Sequence, residues 1–264
     1  MRSPILYLPH GGGPMPLLGD PGHASLTAFL KQVPELLGQP RAILVVSAHW
    51  EETTPSVTAG ANPELIYDYY GFPPESYEVT YPAPGAVAVA QRVRELLTAG
   101  GVSCEWREDR GYDHGLFVPL KLMYPQAEIP CLQVSLLKSL NPEQHLRLGE
   151  LLAPLRDEGV LIVGSGLSFH NMRAYGRNDP QITADSQLFD NWLNETCTSP
   201  ELPLEQRRER LAHWEQGPHA RFCHPREEHL LPLQVCAAAG EYRPAKQVYN
   251  DLFLGTWVSA FLWD

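Results

Sequence analysis

Ten histidines occur in the 264-residue chain, and three of them share one kind of address: the end of a strand-like aliphatic run where a loop begins. His10 closes Ile5-Leu6-Tyr7-Leu8-Pro9 and precedes Gly11-Gly12-Gly13. His49 closes Ile43-Leu44-Val45-Val46-Ser47-Ala48. His170 follows Val160-Leu161-Ile162-Val163-Gly164-Ser165-Gly166. Two more sit at element starts: His114 in Gly111-Tyr112-Asp113-His114-Gly115, and His229 in Pro225-Arg226-Glu227-Glu228-His229. In open α/β sheets ligands gather outside the carboxyl ends of strands, so side chains distant in sequence can meet there. Neutral imidazole is the commonest protein ligand for zinc and iron, and the absence of matching cysteines argues against a structural thiolate site. The predicted chemistry is therefore that of a histidine-held metal.

Taken singly, a histidine at a strand end reads as a hydrogen-bonded structural residue; five at loop-facing positions reverse that reading. His23, His145, His213, His219 and His224 lie in polar or helical surface contexts and read as structural, with His224 kept as a minor candidate because it is near His229. Asp113 and Glu228 adjoin candidate ligands and could orient a ring or ligate, although adjacent side chains often diverge. Gly11-Gly12-Gly13 lacks the following Lys-Ser or Lys-Thr and the GxGxxG spacing, so nucleotide binding is rejected there. Gly164-Ser165-Gly166 fails as a nucleophile elbow because Leu167 stands where glycine is required. Trp50, Tyr67, Tyr69, Tyr70, Phe72, Tyr77 and Tyr81 read partly as core and partly as the wall of a pocket for a flat aromatic substrate.

The elements that must position these groups alternate short aliphatic runs with helix-like stretches, the pattern of a single-domain α/β fold over residues 1–264, with a central mostly parallel or mixed sheet and helices on both faces. Strands are expected at Ile5 to Leu8, Ala42 to Ser47, Val102 to Trp106, Pro130 to Leu136, Val160 to Val163, Lys246 to Tyr249 and Thr256 to Leu262. Helices are expected at about Ala24 to Leu37, Ala86 to Ala99, Phe117 to Met123, Pro142 to Asp157, Ala184 to Asn194, Glu205 to Trp214 and Glu228 to Ala239. Asn141-Pro142-Glu143 supplies a cap before a first-turn proline, and Gly159 a stop. The Pro-rich segment from Glu64 to Gly85 is the longest loop, and residues 173 to 182 read as a polar loop.

A net charge of -11 disfavours a nucleic-acid partner. No apolar run approaches the roughly 20 residues needed to span a bilayer, and the start shows no signal-peptide core, so no membrane partner and a cytoplasmic location are expected. Five cysteines without a CxxC pair read as reduced thiols, and only Cys223, near the C-terminal histidines, is worth following. A homo-oligomer is compatible with the sequence.

The sequence resembles the class III extradiol ring-cleaving dioxygenases, in the branch that includes the DOPA extradiol dioxygenases. The resemblance runs over nearly the whole chain through His10-Gly11-Gly12, Ser47-Ala48-His49-Trp50, Tyr67-Asp68-Tyr69-Tyr70-Gly71-Phe72-Pro73, Tyr81-Pro82-Ala83-Pro84-Gly85, Tyr112-Asp113-His114-Gly115, Met123-Tyr124-Pro125, Gly164-Ser165-Gly166 to His170-Asn171, and Glu228-His229-Leu230-Leu231-Pro232-Leu233. It departs from the family's Gly-His-Gly-Ser/Ala-Pro opening, since Pro9 precedes His10. The resemblance implies one non-haem metal ion per chain, Fe(II) for activity or Zn(II) as a bound ion. The implied metal ligands are His10, His49, His229 and His170, with Glu228 a conceivable substitute for His229. His170 is implied at the metal or beside it as a catalytic base, and His114 as a catalytic residue facing substrate or dioxygen. The implied partners are a small aromatic diol and O2. Arg173 and Arg226 are candidate partners for a substrate acid, with surface solvation as the plainer role. Two other classes remain beside this one: a zinc-dependent hydrolase using the same imidazoles, and a non-catalytic binding protein on the same scaffold. Oxygen consumed with a diol separates all three.

Overall fold

The computed structural model describes residues 2–177 and 179–264. One eight-stranded sheet carries it, built from β1 (Ile5–Pro9), β2 (Ala42–Glu52), β3 (Ser56–Thr58), β4 (Glu105–Arg107), β5 (Cys131–Leu137), β6 (Val160–Gly166), β7 (Lys246–Phe253) and β8 (Thr256–Trp263). Their order is β4-β3-β5-β2-β6-β1-β8-β7. The four central strands β5, β2, β6 and β1 are parallel, while β8 joins β1, β7 joins β8, and β3 joins β5 antiparallel. The sheet is thus mixed, with a parallel heart that reads in sequence as continuous aliphatic runs because both of its faces are covered.

Side-chain alternation along β6 shows the two layers. Ser165 donates its hydroxyl hydrogen bond to the Gly115 carbonyl of α4 (His114–Met123), whereas a Cβ at Gly164 would meet Cys236 and the Pro232 carbonyl of α9 (Leu231–Ala239). The α4 face also carries α1 (Ala24–Gln32); the α9 face carries α5 (Pro142–Leu152), which crosses α9 so closely that a Cβ at Gly149 would lie 2.2 Å from the Val235 carbonyl oxygen. α3 (Val87–Ala99) packs against α5 on that face. Ile43, Leu44, Val46, Leu161, Ile162 and Val163 between the layers are wholly buried, each such side chain contributing about 1.5–3 kcal/mol.

Helix boundaries follow local chemistry. Asn141 accepts from the Gln144 N–H at 3.2 Å with Pro142 in the first turn, and Gly159 takes the left-handed conformation (φ +78°) after the following 3-10 turn. The stretch expected as one helix from Ala24 to Leu37 breaks at Val33, where Pro34 starts the short α2 (Pro34–Leu37). The region expected as a polar loop over 173 to 182 gives way to α6 (Pro180–Thr198), whose Asp179 cap accepts from the Gln181 N–H; Asn178 lies outside the described residues. The helix expected from Glu205 becomes α7 (Leu204–Ala212), and the short α8 (Ala220–Cys223) precedes α9, which begins two residues beyond His229 and not at Glu228. No helix of the described residues is long and apolar enough to cross a membrane.

Candidate metal centre

His10 leaves β1 at its carboxyl end, beside Ser165 of β6. His49 does not end β2, as the sequence suggested; the strand continues to Glu52 through an irregularity. Val46 pairs with Val134 and Glu51 with Leu136, so β2 holds three more residues than β5 over that stretch. This bulge contains Ser47 to Trp50 and turns His49 out of the ladder, the usual use of a bulge beside a site. His114 opens α4, which lies so close to β2 that a Cβ at Gly115 would fall 2.3 Å from Ser47 Oγ. The His229 segment is pressed onto β6: its carbonyl accepts from the Leu167 N–H at 3.1 Å and from the Tyr7 hydroxyl at 3.0 Å, and a Cβ at Gly166 would sit 2.1 Å from that oxygen.

These elements bring all five sequence-selected histidines together. The His10 and His49 Nε2 atoms are 3.1 Å apart. The His229 ring centroid is 5.2 Å from that of His10 and 4.9 Å from that of His49; the His114 centroid is 3.9 Å from His49. His170 stacks on His229 at 3.4 Å. The back sides of the rings are tied down. Ser165 Oγ spends its proton on Gly115, so it must accept from His10 Nδ1–H at 3.0 Å, which leaves the Nε2 lone pair of His10 facing the cluster. Glu228 Oε1 accepts from Nδ1 of His229 at 2.9 Å and lies 3.2 Å from Nδ1 of His170. Asp68 Oδ1 accepts from Nδ1 of His114 at 2.8 Å and from its backbone N–H at 3.0 Å.

Electrostatics keeps three of the rings uncharged. Burial, then the neighbouring His49, holds His10 well below the ordinary histidine value; burial, then His170, does the same to His229; burial, then His114, pushes His49 down to about 3. A neutral ring with its Nδ1 tied back, as in His10 and His229, is the state in which imidazole binds a metal. The 3.1 Å gap between the two Nε2 atoms is what two nitrogens about 2.0–2.1 Å from one ion span at an angle of about 95°. The donor atoms of His10, His49 and His114 lie within 4.8 Å of one another, as do those of His170, Glu228 and His229, and the two adjoining groups form a histidine-rich site that could hold a non-haem ion.

Asp113, expected as a partner of His114, faces away: it accepts from Ser47 Oγ at 2.7 Å and Gln133 Nε2 at 2.9 Å and pairs with Arg110 at 3.1 Å. It is burial that pushes its carboxyl above the usual range. Through Ser47, which also accepts from the His49 N–H, it braces the bulge. Asp68 lies in the Tyr67–Pro73 stretch, and nothing in the local sequence reveals that the long loop returns it to the start of α4. Ser165 was weighed only as a nucleophile and serves the ring of His10 instead.

The histidines set aside as surface residues divide. His213 and His219 are exposed, but His23, His145 and His224 are buried. His23 Nε2 accepts from the Gly12 N–H at 3.0 Å and its Nδ1 donates to Asp20 at 2.6 Å, which pins the glycine loop after His10. His145 joins the Leu137 N–H to the Asn141 carbonyl, and His224 donates to the Ser168 carbonyl. Their structural role stands, while their surface location does not. Cys223 is buried and its thiol is pushed up by that burial, which leaves it inert.

Over the imidazoles opens a cavity of about 460 Å³. Of the aromatic residues singled out in the sequence, Tyr69 and Phe72 line it. Tyr67 and Tyr77 pack behind Tyr69, Tyr81 is core, Trp50 is buried under Arg110, and Tyr70 is exposed. Arg226 is held bidentately by Glu51 at 2.7 and 2.6 Å, and neither it nor Arg173 lines the cavity.

Sheet, cluster and cavity define a class of protein: an α/β enzyme scaffold with a buried histidine-rich site able to hold a non-haem metal, under a pocket of small-molecule size. Within that class, the chain belongs to the family described as the catalytic LigB subunit of aromatic ring-opening dioxygenase, which matches residues 3–261. It is an extradiol, aromatic ring-opening dioxygenase, an oxidoreductase. The chain is 39% identical to "Dioxygenase tasH" of Hapsidospora irregularis over 99% of this chain and 85% of that protein. It is 40% identical to a 4,5-DOPA dioxygenase extradiol of Beta vulgaris over 81% of this chain and 78% of that one, and 38% identical to the Escherichia coli protein of the same name over 88% and 83%. A crystal structure of an uncharacterized protein from Escherichia coli K12 superposes with a TM-score of 0.80 at 31% identity, covering both chains in full.

Proposed function

We propose that residues 1–264 act as one catalytic domain that opens a catechol-type ring with O2, using one Fe(II) per chain held by His10, His49 and His229, with His170 at the ion or beside it. The observation that carries this reading is the inward convergence of the His10 and His49 Nε2 atoms, 3.1 Å apart, with the His10 Nδ1 held by Ser165. Bound iron supplies open positions at which the diol oxygens and O2 are brought together. Both oxygen atoms enter the product: the carbon–carbon bond beside the diol breaks and ends as an aldehyde and a carboxylate, so no external reductant is needed. His170, with Nδ1 beside Glu228, takes a diol proton and later returns one; His114, oriented by Asp68, faces the substrate. Glu228 then serves as the acceptor for the His229 ring N–H, beside the His170 ring, and not as a ligand. Zn(II) would fill the same imidazoles without supporting ring cleavage. A cytoplasmic location accompanies this reading.

The protein loaded anaerobically with Fe(II) and given a catechol should consume one O2 per diol, while hydrolysis would consume none. His49→Ala is expected to lose both bound metal and turnover. His114→Ala should keep its metal and lose about 100-fold or more in turnover. A His49→Ala protein with full metal and full activity refutes the assignment.

A further inference from the structure

Beyond the imidazoles, the cavity presents almost nothing polar to a ligand. Met15, Phe72, Leu167, Met172, Phe253 and Leu254 line it with apolar side chains, and Gly11, Gly12 and Gly13 line it with backbone. The two tyrosines that complete it have spent their hydroxyls on backbone carbonyls: Tyr69 donates to Ser76 at 2.6 Å and Tyr175 to Phe169 at 2.6 Å. Both therefore offer ring surface and not a donor. His23 has both nitrogens occupied, by Gly12 and Asp20, and Asp20 is the one carboxylate in the lining. Among the described residues no lysine or arginine lines the cavity. Arg173 and Arg226 line an adjoining surface pocket that shares only His170 and Met172 with it, and Arg226 is already paired with Glu51. Asp20, Asp68 and Glu228 are the acidic groups around the centre, and Arg226 lies 3.3 Å from the second oxygen of Glu228.

The volume adds a second constraint. About 460 Å³ falls within the roughly 300–1,000 Å³ of pockets that enclose drug-sized ligands, so a bare six-membered ring leaves much of the apolar wall uncovered. A ring substituent would fill it. Burying a carboxylate there without a cation costs the unpaired desolvation penalty, whereas an alkyl or aryl group gains from the same surface.

We infer that this cavity selects catechols whose ring substituent is uncharged and apolar and discriminates against those carrying a carboxylate, with Met15, Phe72, Met172, Phe253 and Leu254 setting that preference. The inference rests on the diol reading above and deepens it. It is tested first by binding without turnover: calorimetry on the Zn(II)-loaded protein, under anaerobic conditions at neutral pH, with 4-propylcatechol, 3,4-dihydroxyphenylacetate and DOPA. The expected result is that 4-propylcatechol binds at least about tenfold tighter than either acid. Equal or tighter binding of the acids overturns the inference while leaving the diol reading intact. Failure of all three to bind overturns the diol reading and the inference with it. In the Fe(II)-loaded protein, O2 uptake should rank the substrates in the same order by kcat/KM; an inverted order overturns the preference.

Discussion

Asp68 offers the sharpest test of how the site is organised, because it reaches the cluster only through His114. Its Oδ1 takes two hydrogen bonds from that residue, from ring Nδ1 at 2.8 Å and from the backbone at 3.0 Å, and its side chain is only 21% exposed. Burial alone would raise its pKa, but the hydrogen bonds from His114 outweigh burial and hold the carboxyl below its usual range, so it is ionised near neutrality. Asp68→Asn keeps the shape and an acceptor but removes the charge. A hydrogen bond to a charged group contributes about 1.5–3 kcal/mol and a neutral one about 0.5–1.5, so the substitution forfeits roughly 1–1.5 kcal/mol of ring orientation. That is about a tenfold loss in kcat/KM. Because Asp68 makes no contact with His10 or His229 nitrogens, metal content should be unchanged. The assay is O2 uptake normalised to iron, in a cycle with His114→Ala. Once the imidazole is gone, Asp68→Asn should cost little further. If it costs the same tenfold in the His114→Ala background, or if activity falls only in proportion to lost iron, Asp68 is not the positioning residue for His114.

Two further outcomes test the frame around the centre. Gly166→Ala should destabilise the protein by about 1–3 kcal/mol in urea unfolding and reduce bound metal, since the new Cβ would lie 2.1 Å from the His229 carbonyl oxygen; unchanged stability would show that the His229 segment is free to shift. His145 is far from the cluster and wholly buried, and burial lowers it to about 4 despite its bond to Asn141. Between its ordinary 6.5 and about 4 the unfolded chain therefore binds a proton that the folded chain does not. The stability it affects is complete above 6.5 and falls as pH drops, by up to about 1.4 kcal/mol per pH unit. His145→Gln should flatten that slope of unfolding free energy against pH, and an identical slope in the variant would contradict the neutral, buried assignment.

How much of this was legible in the sequence depended on the range over which each feature is determined. Central strands declared themselves because a parallel strand covered on both faces must be aliphatic throughout, as Ile43 to Val46 and Leu161 to Val163 are. The five histidines were found because loop-facing strand ends are few and the motifs around them are distinctive. The short strand β3 was missed, since three residues give no period to read. The bulge in β2 was also invisible: Ser47 to Trp50 look like an ordinary strand end, and only pairing with β5 shows the surplus residues. Asp68 and Ser165 escaped for a related reason. A carboxylate or hydroxyl that serves a ring 46 or 155 residues away carries no local signature. His145 was misjudged as a surface residue because its helix is polar on one side, and its burial follows from facing α9 and β5 instead.

The arrangement of the five rings also explains why the fold tolerates them. Burial and mutual proximity hold His10, His49 and His229 neutral. With the Nδ1 of His10 committed to Ser165 and that of His229 to Glu228, their Nε2 atoms are left free for a ligand. The Nε2 lone pair of His10 lies 3.1 Å from His49 Nε2, a contact that a neutral His49 N–H bridges in the metal-free protein and that a cation can take over. A divalent ion satisfies several such lone pairs at once. The outer partners hold the rings in that poised geometry, so their substitution should weaken metal affinity or ring alignment without disturbing the sheet beneath.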